Sequence, residues 1–489
     1  MNGIGLVAMN KTNSIKKNAV LNIIKQCTNV LFPLITYPYI SRILGATALG
    51  RFSFSDSIVQ YAIIVATLGI SGYAIREGAR VRDDKIKMTS LASELFGINI
   101  CSLLLSGVFL AISILCVERV RQETIIVAVL SLNVITSVVG RDWINAIYED
   151  YLFMTLRYIV FQCIALIGMF FFVKTPSDIY VYTCIVVFGN SGAQIANIFH
   201  TSKFVPIHLK ISKNSLRHMG PILYMFSISV ASIIYINSDI TILGFLRTDE
   251  ETGTYYMVGK IYTIIKSLMN AVITVSIPRI SYYLGKKENE GYNNLLNSLR
   301  SYLFVIIIPS IVGLFMISEN VLCIIGGSEY IAGKGGLQIL CIAMLFAVFG
   351  CFYAQAILIP NRKEKIFFVA TIASAITNVV FNFALVPFFG MLATASTTVL
   401  SEMIVLIVCM KNSRENHDKF NNSIIIDVAL GSIMIVFLCL IVKWLSVDLI
   451  LETIISIIGS ITVYFIVLTL RKNSIAIQVI KKIKSFCRR

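Results

Sequence analysis

The chain is dominated by a succession of apolar stretches, each long enough to cross a lipid bilayer as a helix. The first covers residues 18–40, which as an α-helix would reach roughly 35 Å, against a hydrocarbon core of about 30 Å. Hydrophobic residues make up 57% of the 489 residues and charged residues only 14%, whereas soluble proteins carry about 25% charge. These features predict an all-α polytopic membrane protein.

About fourteen membrane-spanning helices can be placed along the sequence. Their approximate limits are 18–40, 52–75, 90–116, 124–147, 157–173, 179–200, 221–245, 254–277, 301–318, 337–360, 366–386, 391–410, 423–442 and 449–470. The predicted domains are an N-terminal segment (1–17), a first lobe (18–200), an inter-lobe linker (201–220), a second lobe (221–410), a linker with the last helix pair (411–470) and a basic tail (471–489).

Lysine and arginine residues follow the alternation of the predicted spans. Segments on the same side as the N-terminus hold 30 of them, and segments on the opposite side hold 7. Because cytoplasmic loops carry the excess of positive charge, both termini are predicted to be cytoplasmic. The net charge of +16 therefore reflects membrane topology, and no nucleic-acid partner is expected. The basic tail is predicted either to contact anionic lipid headgroups or to act as a topology anchor.

The two predicted lobes share an internal repeat. Residues 43–45 (Ile-Leu-Gly) recur at 242–244, and the fourth span repeats in the tenth, where residues 140–147 align with residues 350–357. Each repeated unit contains an even number of spans, so the two copies run in the same direction. Parallel repeats of this kind predict two six-helix lobes related by an axis along the membrane normal, with a cavity between them.

The first two spans also resemble a known family. The resemblance is carried by Phe32-Pro33-Leu34-Ile35, by residues 38–45 (Pro-Tyr-Ile-Ser-Arg-Ile-Leu-Gly), and by residues 66–71 (Ala-Thr-Leu-Gly-Ile-Ser) with the following Arg76-Glu77. This opening resembles the Wzx-type flippases, the lipid-linked oligosaccharide translocases of the multidrug/oligosaccharidyl-lipid/polysaccharide exporter superfamily. The resemblance implies two lobes in a V plus a terminal helix pair, with the first, second, seventh and eighth helices around the central cavity.

Polar side chains inside these apolar helices are the candidate site residues. A lysine or aspartate facing lipid costs at least ~2.5 kcal/mol, so such residues are expected to face a cavity or each other. The predicted ligands of a pyrophosphate-sugar headgroup are Lys25, Asn29, Arg51, Gln60, Lys260, Lys266 and Asn270. The predicted ion-coupling residues are Asp56, Asp239 and Glu402, and the gate candidates are Arg76, Arg141, Asp142 and Arg279.

Alternatives remain open for these residues. The lysines could instead pair with Asp56 or Asp239 and only stabilise the helix bundle, and Arg51 could lie among the outer headgroups. The adjacent Arg141 and Asp142 cannot share a helix face, so they fit a gate or a packing pair better than a ligand site. Asp56 and Glu402 are interpreted as acids that could exchange a proton or hold sodium in a low-dielectric cavity.

The function predicted from these features is translocation of undecaprenyl-pyrophosphate-linked oligosaccharide across the bacterial cytoplasmic membrane for O-antigen, capsule or exopolysaccharide assembly. The expected partners are a proton or sodium as coupling ion and a polysaccharide polymerase or chain-length machinery. The alternatives are a drug or cation antiporter of the same superfamily and, less favoured, a membrane glycosyltransferase or polymerase. Eleven cysteines form no CxxC pair and the sequence holds no Walker A motif, so no metal, cofactor or catalytic residue is expected.

Overall fold

The computed structural model describes residues 15–210, 213–413 and 422–478, and these residues form helices and no β-strand. The α-helices are α1 Ile15–Thr67, α2 Ile70–Val81, α3 Lys85–Cys116, α4 Glu118–Gln122, α5 Thr124–Leu130, α6 Leu132–Val139, α7 Asp142–Ile147, α8 Tyr151–Phe172, α9 Ile179–Thr201, α10 Met219–Leu246, α11 Asp249–Gly285, α12 Asn289–Met316, α13 Ser318–Gly326, α14 Lys334–Phe352, α15 Glu364–Lys411, α16 Asn422–Trp444 and α17 Leu449–Leu470. The protein is therefore an all-α polytopic membrane protein, as predicted.

Twelve helical segments of the described residues are long and apolar enough to cross a membrane. Two of them are much longer than one crossing needs, since Leu31–Val81 has 51 residues and Glu364–Lys411 has 48, against about 20 for one span. Each contains a glycine with non-helical backbone angles, Gly45 in α1 and Gly390 in α15. Each long segment can thus supply two spans, and the count of fourteen stays a prediction.

Polar residues at the span ends explain why several helices begin where they do. The Asp84 side chain accepts hydrogen bonds from the backbone N–H groups of Ile86 and Lys87 and so caps α3. Thr248 caps α11 in the same way, and Asp448 caps α17. Each cap supplies an acceptor for backbone N–H groups that have no partner within the helix.

The repeat-related fourth and tenth spans are both irregular. The fourth is interrupted at Gly140 and Arg141, where Arg141 has a left-handed backbone (φ 54°, ψ 44°). In the tenth span α14 continues as a π-helix, Tyr353–Leu358. These two irregular stretches fall on the aligned residues 140–147 and 350–357. Departures from the α-helix inside long helices occur frequently at functional sites.

The chain divides into two compact units, Met1–Asn237 and Ser238–Arg489. The boundary lies inside α10, and the lobe limits given by the sequence stay a prediction. The first unit has a core in which Ile70, Leu95 and Trp143 are buried. In the second unit, Leu358 and Val405 belong to a buried cluster that joins the π-helix to α15.

Candidate functional site

A carboxylate surrounded by uncharged hydrogen-bond donors lies in the second unit. Oδ1 of Asp239, on α10, accepts hydrogen bonds from Nδ2 of Asn378 and of Asn382, each at 2.9 Å. Oδ2 accepts hydrogen bonds from Tyr255 Oη at 2.9 Å and from Thr398 Oγ1 at 2.7 Å. These five residues form the Asp239 cluster, which joins α10 and α11 to both halves of α15.

Neighbouring side chains fix the orientation of the two amides in the Asp239 cluster. Asn378 Oδ1 accepts a hydrogen bond from Ser238 Oγ at 2.7 Å, and Asn382 Oδ1 accepts one from Thr397 Oγ1 at 3.0 Å. Asn378 and Asn382 are buried, at 2% and 0% exposure. Because each amide oxygen has a donor of its own, each Nδ2 is directed at the Asp239 carboxylate.

The charge of Asp239 has no basic partner in the part of the chain that the structure describes, since its four donors are amides and hydroxyls. Of the groups in the Asp239 cluster, the carboxylate oxygens and the hydroxyl oxygens of Tyr255 and Thr398 are of the kind that hard cations prefer. A carboxylate enclosed in this way can be neutralised by a proton or by a small cation.

Sequence reasoning selected Asp239 and missed its partners. The signal for them was a pair of asparagines four residues apart within an apolar span.

A second carboxylate of the same unit is paired with a lysine. Lys266 Nζ lies 2.5 Å from Glu402 Oε1, and Tyr262 Oη donates a hydrogen bond to the same oxygen at 2.9 Å. The Glu402 side chain is 5% exposed and that of Lys266 is 24% exposed. The two residues were predicted to have different roles, one as coupling acid and one as headgroup ligand. The structure brings them together as an ion pair between α11 and α15.

The remaining candidates of the second unit lie along α11. The Lys260 ammonium lies 4.8 Å from the centroid of the Tyr256 ring. Asn270 Oδ1 is buried and accepts no hydrogen bond within the described residues. Arg279 is exposed and donates a hydrogen bond to Tyr283 Oη at 3.1 Å. Their roles as headgroup ligands and gate stay predictions.

In the first unit, Arg51 forms a bidentate ion pair with the buried Glu123. Its Nε and Nη2 donate hydrogen bonds to the two carboxylate oxygens of Glu123 at 2.8 and 2.9 Å, and the Glu123 side chain is 4% exposed. Further along α1, Gln60 Nε2 donates a hydrogen bond to Asp56 Oδ1 at 3.3 Å. Lys25 also lies in α1, as does Asn29, but the side chains of both fall outside the described residues.

The gate candidate Asp142 lies in a polar cluster at the break in the fourth span. Asp142 Oδ1 accepts hydrogen bonds from Arg157 at 2.7 Å and from Asn197 at 3.0 Å, and Oδ2 accepts one from Gln194 at 3.0 Å. Arg141 instead packs over the ring of Phe96 at 4.3 Å. Sequence reasoning counted Arg157 only as a topology charge. It missed the two amides because they lie more than fifty residues away in the chain.

The gate candidate Arg76 is exposed and pairs with Glu77 at 3.1 Å. Close by in the same unit is a cluster that sequence reasoning missed, centred on the buried Glu94. Its carboxylate contacts Lys210 at 3.2 Å, and Arg217 and His218 at 3.0 and 3.1 Å. These three residues lie in the segment that was predicted to link the lobes, so Glu94 connects that segment to the first third of α3.

Comparison with known proteins identifies the family. Residues 15–284 match the family described as polysaccharide biosynthesis protein, which is more than half of the chain. The chain belongs to this family. The resemblance of its first two spans to the Wzx-type polysaccharide flippases is thereby confirmed.

A curated relative and a solved structure each match most of the chain. A protein of Escherichia coli (strain K12) named "Putative O-antigen transporter" is 24% identical over 406 residues, which cover 82% of this chain and 97% of the relative. Among solved structures, the lipid II flippase MurJ in an inward closed conformation has a TM-score of 0.73 at 13% identity, covering 94% of this chain and 99% of that chain.

The solved structure of an inward-facing multidrug resistance transporter of the MATE family is also similar to this chain. Its TM-score is 0.58 at 13% identity, with 81% of this chain and 97% of that chain covered. At such identities the solved structures show the fold alone. The family and its neighbours are transporters, so the prediction that the chain is not an enzyme is confirmed.

Proposed function

We propose that this protein translocates undecaprenyl-pyrophosphate-linked oligosaccharide units across the bacterial cytoplasmic membrane by ion-coupled alternating access. In this proposal the two lobes open inward, take up the polar headgroup, and reopen outward while the lipid tail stays in the bilayer. The polysaccharide family and the O-antigen transporter name of the relative support the substrate class. The flippase MurJ supports the fold on which such a cycle could run.

The Asp239 cluster is the observation that carries the coupling part of this proposal. Its carboxylate has four uncharged donors, so one positive charge is needed to balance it. A proton or a sodium ion bound there would stabilise one conformation of α10, α11 and α15. Release of the ion would favour another conformation, and a ligand shifts an equilibrium by its difference in affinity for the two states. Asp239 is therefore the first choice for the ion, ahead of Asp56 and Glu402.

Headgroup binding is assigned to cations on helices of the two lobes. A pyrophosphate needs cations in a wet pocket, and lysine serves as a point charge for it. Lys25 and Lys260 are the proposed ligands, with Lys266 as a bridge between them and Asn29, Gln60 and Asn270 as partners for the sugars. For Lys266 and Arg51, a headgroup would have to compete with Glu402 and Glu123 respectively.

The proposed location is the bacterial cytoplasmic membrane with both termini in the cytoplasm. There the protein would receive its substrate from the enzymes that assemble the oligosaccharide on the inner leaflet. It would deliver the substrate to a polysaccharide polymerase or chain-length machinery on the outer side. The gate role of Arg76, Arg141, Asp142 and Arg279 belongs to the same proposal.

Transport of a lipid-linked oligosaccharide in proteoliposomes tests the proposal directly. A fluorescent undecaprenyl-pyrophosphate oligosaccharide in the inner leaflet should become accessible to an impermeant quencher when the protein is present, with a rate that depends on a proton or sodium gradient. Gradient-driven efflux of ethidium without any lipid movement would instead identify a drug antiporter. Turnover of sugar linkages would identify a glycosyltransferase or polymerase.

The headgroup ligands are tested in the same assay. The Lys25→Ala, Lys260→Ala double variant should lose transport while staying folded, and the Lys25→Arg, Lys260→Arg variant should keep part of it, because arginine preserves the charges. Full transport by the double alanine variant would remove both lysines from headgroup binding.

A further inference from the structure

A polar cleft of about 280 Å³ lies within the second unit. It is built where the end of α11, the start of α12, the end of the π-helix and the end of α15 come together. The polar residues that line it include Asn289, Tyr292, Asn293, Asn361, Lys363 and Asn412. No acidic side chain is among its lining residues in the described parts of the chain.

The cleft gathers residues from three segments that are predicted to be cytoplasmic. Residues 278–300, 361–365 and 411–422 carry ten of the lysines and arginines that set the predicted topology. Residues of all three segments line the same cleft. On this predicted topology, the cleft opens on the cytoplasmic face, from which a lipid-linked precursor would arrive.

The amides of the cleft are arranged so that acceptor oxygens remain for a ligand. Asn361 Nδ2 donates to Tyr292 Oη at 3.1 Å and to the carbonyl oxygen of Ile357 at 2.7 Å. Asn412 Nδ2 donates to the carbonyl oxygen of Val408 at 2.8 Å. Both N–H donors of Asn361 and one of the two of Asn412 are thus used within the protein, and their carboxamide oxygens are left as acceptors.

Asn293 supplies the observation that points most directly to a ligand. Its Oδ1 is buried, and no described residue donates a hydrogen bond to it. A buried acceptor that is left without a donor destabilises the protein, because the group has lost its hydrogen bonds to water. A ligand that brings a donor to this oxygen recovers that energy.

These features fit an uncharged ligand that carries several hydroxyl donors. The cleft is smaller than the ~300–1,000 Å³ of typical drug-sized sites, so it would hold one sugar ring rather than a whole repeat unit. We propose that this cleft binds one sugar residue of the lipid-linked oligosaccharide on the cytoplasmic side. The identity of the molecule that carries this sugar rests on the proposed function. It acts as a recognition subsite outside the translocation path and contributes to glycan selectivity.

Binding of free sugars to the purified protein tests the cleft. Saturation-transfer NMR with a panel of free glucose, galactose, mannose, rhamnose and N-acetylglucosamine should show binding of at least one sugar to the intact protein. Asn293→Leu should weaken that binding about tenfold, the effect of losing one well-placed hydrogen bond. The control is Asn294→Leu, because Asn294 is exposed on the same helix turn and does not line the cleft.

A third variant separates a sugar site from an anion site. Asn293→Asp keeps an acceptor of the same shape and adds a negative charge, so sugar binding should persist. Inorganic phosphate that competes with the sugar in the intact protein and loses affinity in Asn293→Asp would show an anion site at Lys363 and overturn the proposal. Equal sugar binding by Asn293→Leu and Asn294→Leu would also overturn it.

Transport measurements distinguish this proposal from the proposed function. Asn293→Leu should raise the KM for the lipid-linked oligosaccharide and leave kcat near that of the intact protein, because the cleft lies outside the translocation path. The binding assay needs no transport, so it also gives a result if lipid-linked oligosaccharide is not the substrate. If the intact protein moves the lipid but binds no sugar in the cleft, the cleft proposal fails alone.

Discussion

Asp239 and Glu402 are two carboxylates of the same unit, and both were candidates for the coupling acid. Glu402 lies 2.5 Å from the ammonium of Lys266, so its charge is already balanced. Among the described residues, Asp239 has only amide and hydroxyl donors, from Asn378 and three further side chains. The groups that surround an acid, rather than its place in an apolar span, therefore determine whether it can bind an added ion.

The two sites should therefore respond differently to mutation. Removing one partner of a buried ion pair leaves an uncompensated charge, which is costly, whereas replacing both partners by apolar residues is often neutral. Changing Asp239 to asparagine leaves no unbalanced cation among the described residues, because the hydrogen-bond donors of Asp239 are uncharged. We expect Glu402 to act chiefly on stability and Asp239 chiefly on transport.

The largest stability effect is expected at the Glu402–Lys266 pair. Glu402→Ala should destabilise the protein by about 3–5 kcal/mol, because it removes the carboxylate that balances the charge of Lys266. The double variant Glu402→Leu, Lys266→Met should recover most of that loss. Thermal unfolding in detergent measures both. A double variant as unstable as the single one would show that the two residues stabilise the fold separately.

Substitution of Gly390 is expected to lower stability by a smaller amount and to affect both the Asp239 cluster and the Glu402–Lys266 pair. This residue has φ 53° and ψ −135°, and a Cβ there would meet the carboxylate of Glu251, which accepts a hydrogen bond from the Met391 N–H. Gly390→Ala should cost about 1–3 kcal/mol through backbone strain, and it should disturb the half of α15 that carries Thr398 and Glu402.

The matched control is Gly313→Ala in α12, because a Cβ at Gly313 meets nothing within 4 Å. It should leave the unfolding temperature and transport close to those of the intact protein. If Gly390→Ala behaves like Gly313→Ala, the bend at Gly390 does not hold the two halves of α15 in position.

The smallest effect is expected at an exposed pair that contrasts with Glu402–Lys266. Outside the spans, the hydrogen bond from Lys334 at 2.7 Å lowers the pKa of Glu319. A lowered pKa in the folded state contributes stability above the unfolded pKa of about 4.3, and that contribution is lost as pH falls through the folded value. Both side chains are about 40% exposed, so solvent screening limits the pair to about 1 kcal/mol or less.

Glu319→Gln should remove that small contribution near pH 7 and make the variant and the intact protein equally stable below the folded pKa. Unfolding temperatures measured at pH 7 and at pH 3–4 provide the comparison. A difference between the two proteins that grows as pH falls would contradict the assigned sign.

The fold was largely predictable from the sequence, and the site only in part. Apolar length and charge asymmetry predict the spans and their order, and the repeat identified the two stretches, 140–147 and 350–357, that prove irregular. Asp239 was selected because an acid at the end of an apolar span is costly. Its partner Thr398 lies 159 residues away, and no periodicity within one helix reports a contact of that range.

Pairing between cations and acids was the least predictable feature. The lysines were expected to pair, if at all, with Asp56 or Asp239, yet Lys266 contacts Glu402. The two side chains meet because the fold brings α11 and the second half of α15 close together at this point. The bidentate partner of Arg51, Glu123, was not considered because it lies in a short segment between spans.

The gradient dependence of transport in Asp239→Asn is the measurement that tests whether Asp239 carries the coupling ion. The comparison is made in proteoliposomes between the intact protein, Asp239→Asn and the Glu402→Leu, Lys266→Met double variant, each checked for folding and for headgroup binding. If Asp239 carries the coupling ion, Asp239→Asn keeps headgroup binding but loses acceleration of transport by both proton and sodium gradients. The double variant, which also lacks the proposed headgroup bridge Lys266, transports more slowly but is still accelerated by the gradient. An unchanged gradient response in Asp239→Asn, with the response lost in the double variant, would contradict the claim and assign coupling to Glu402.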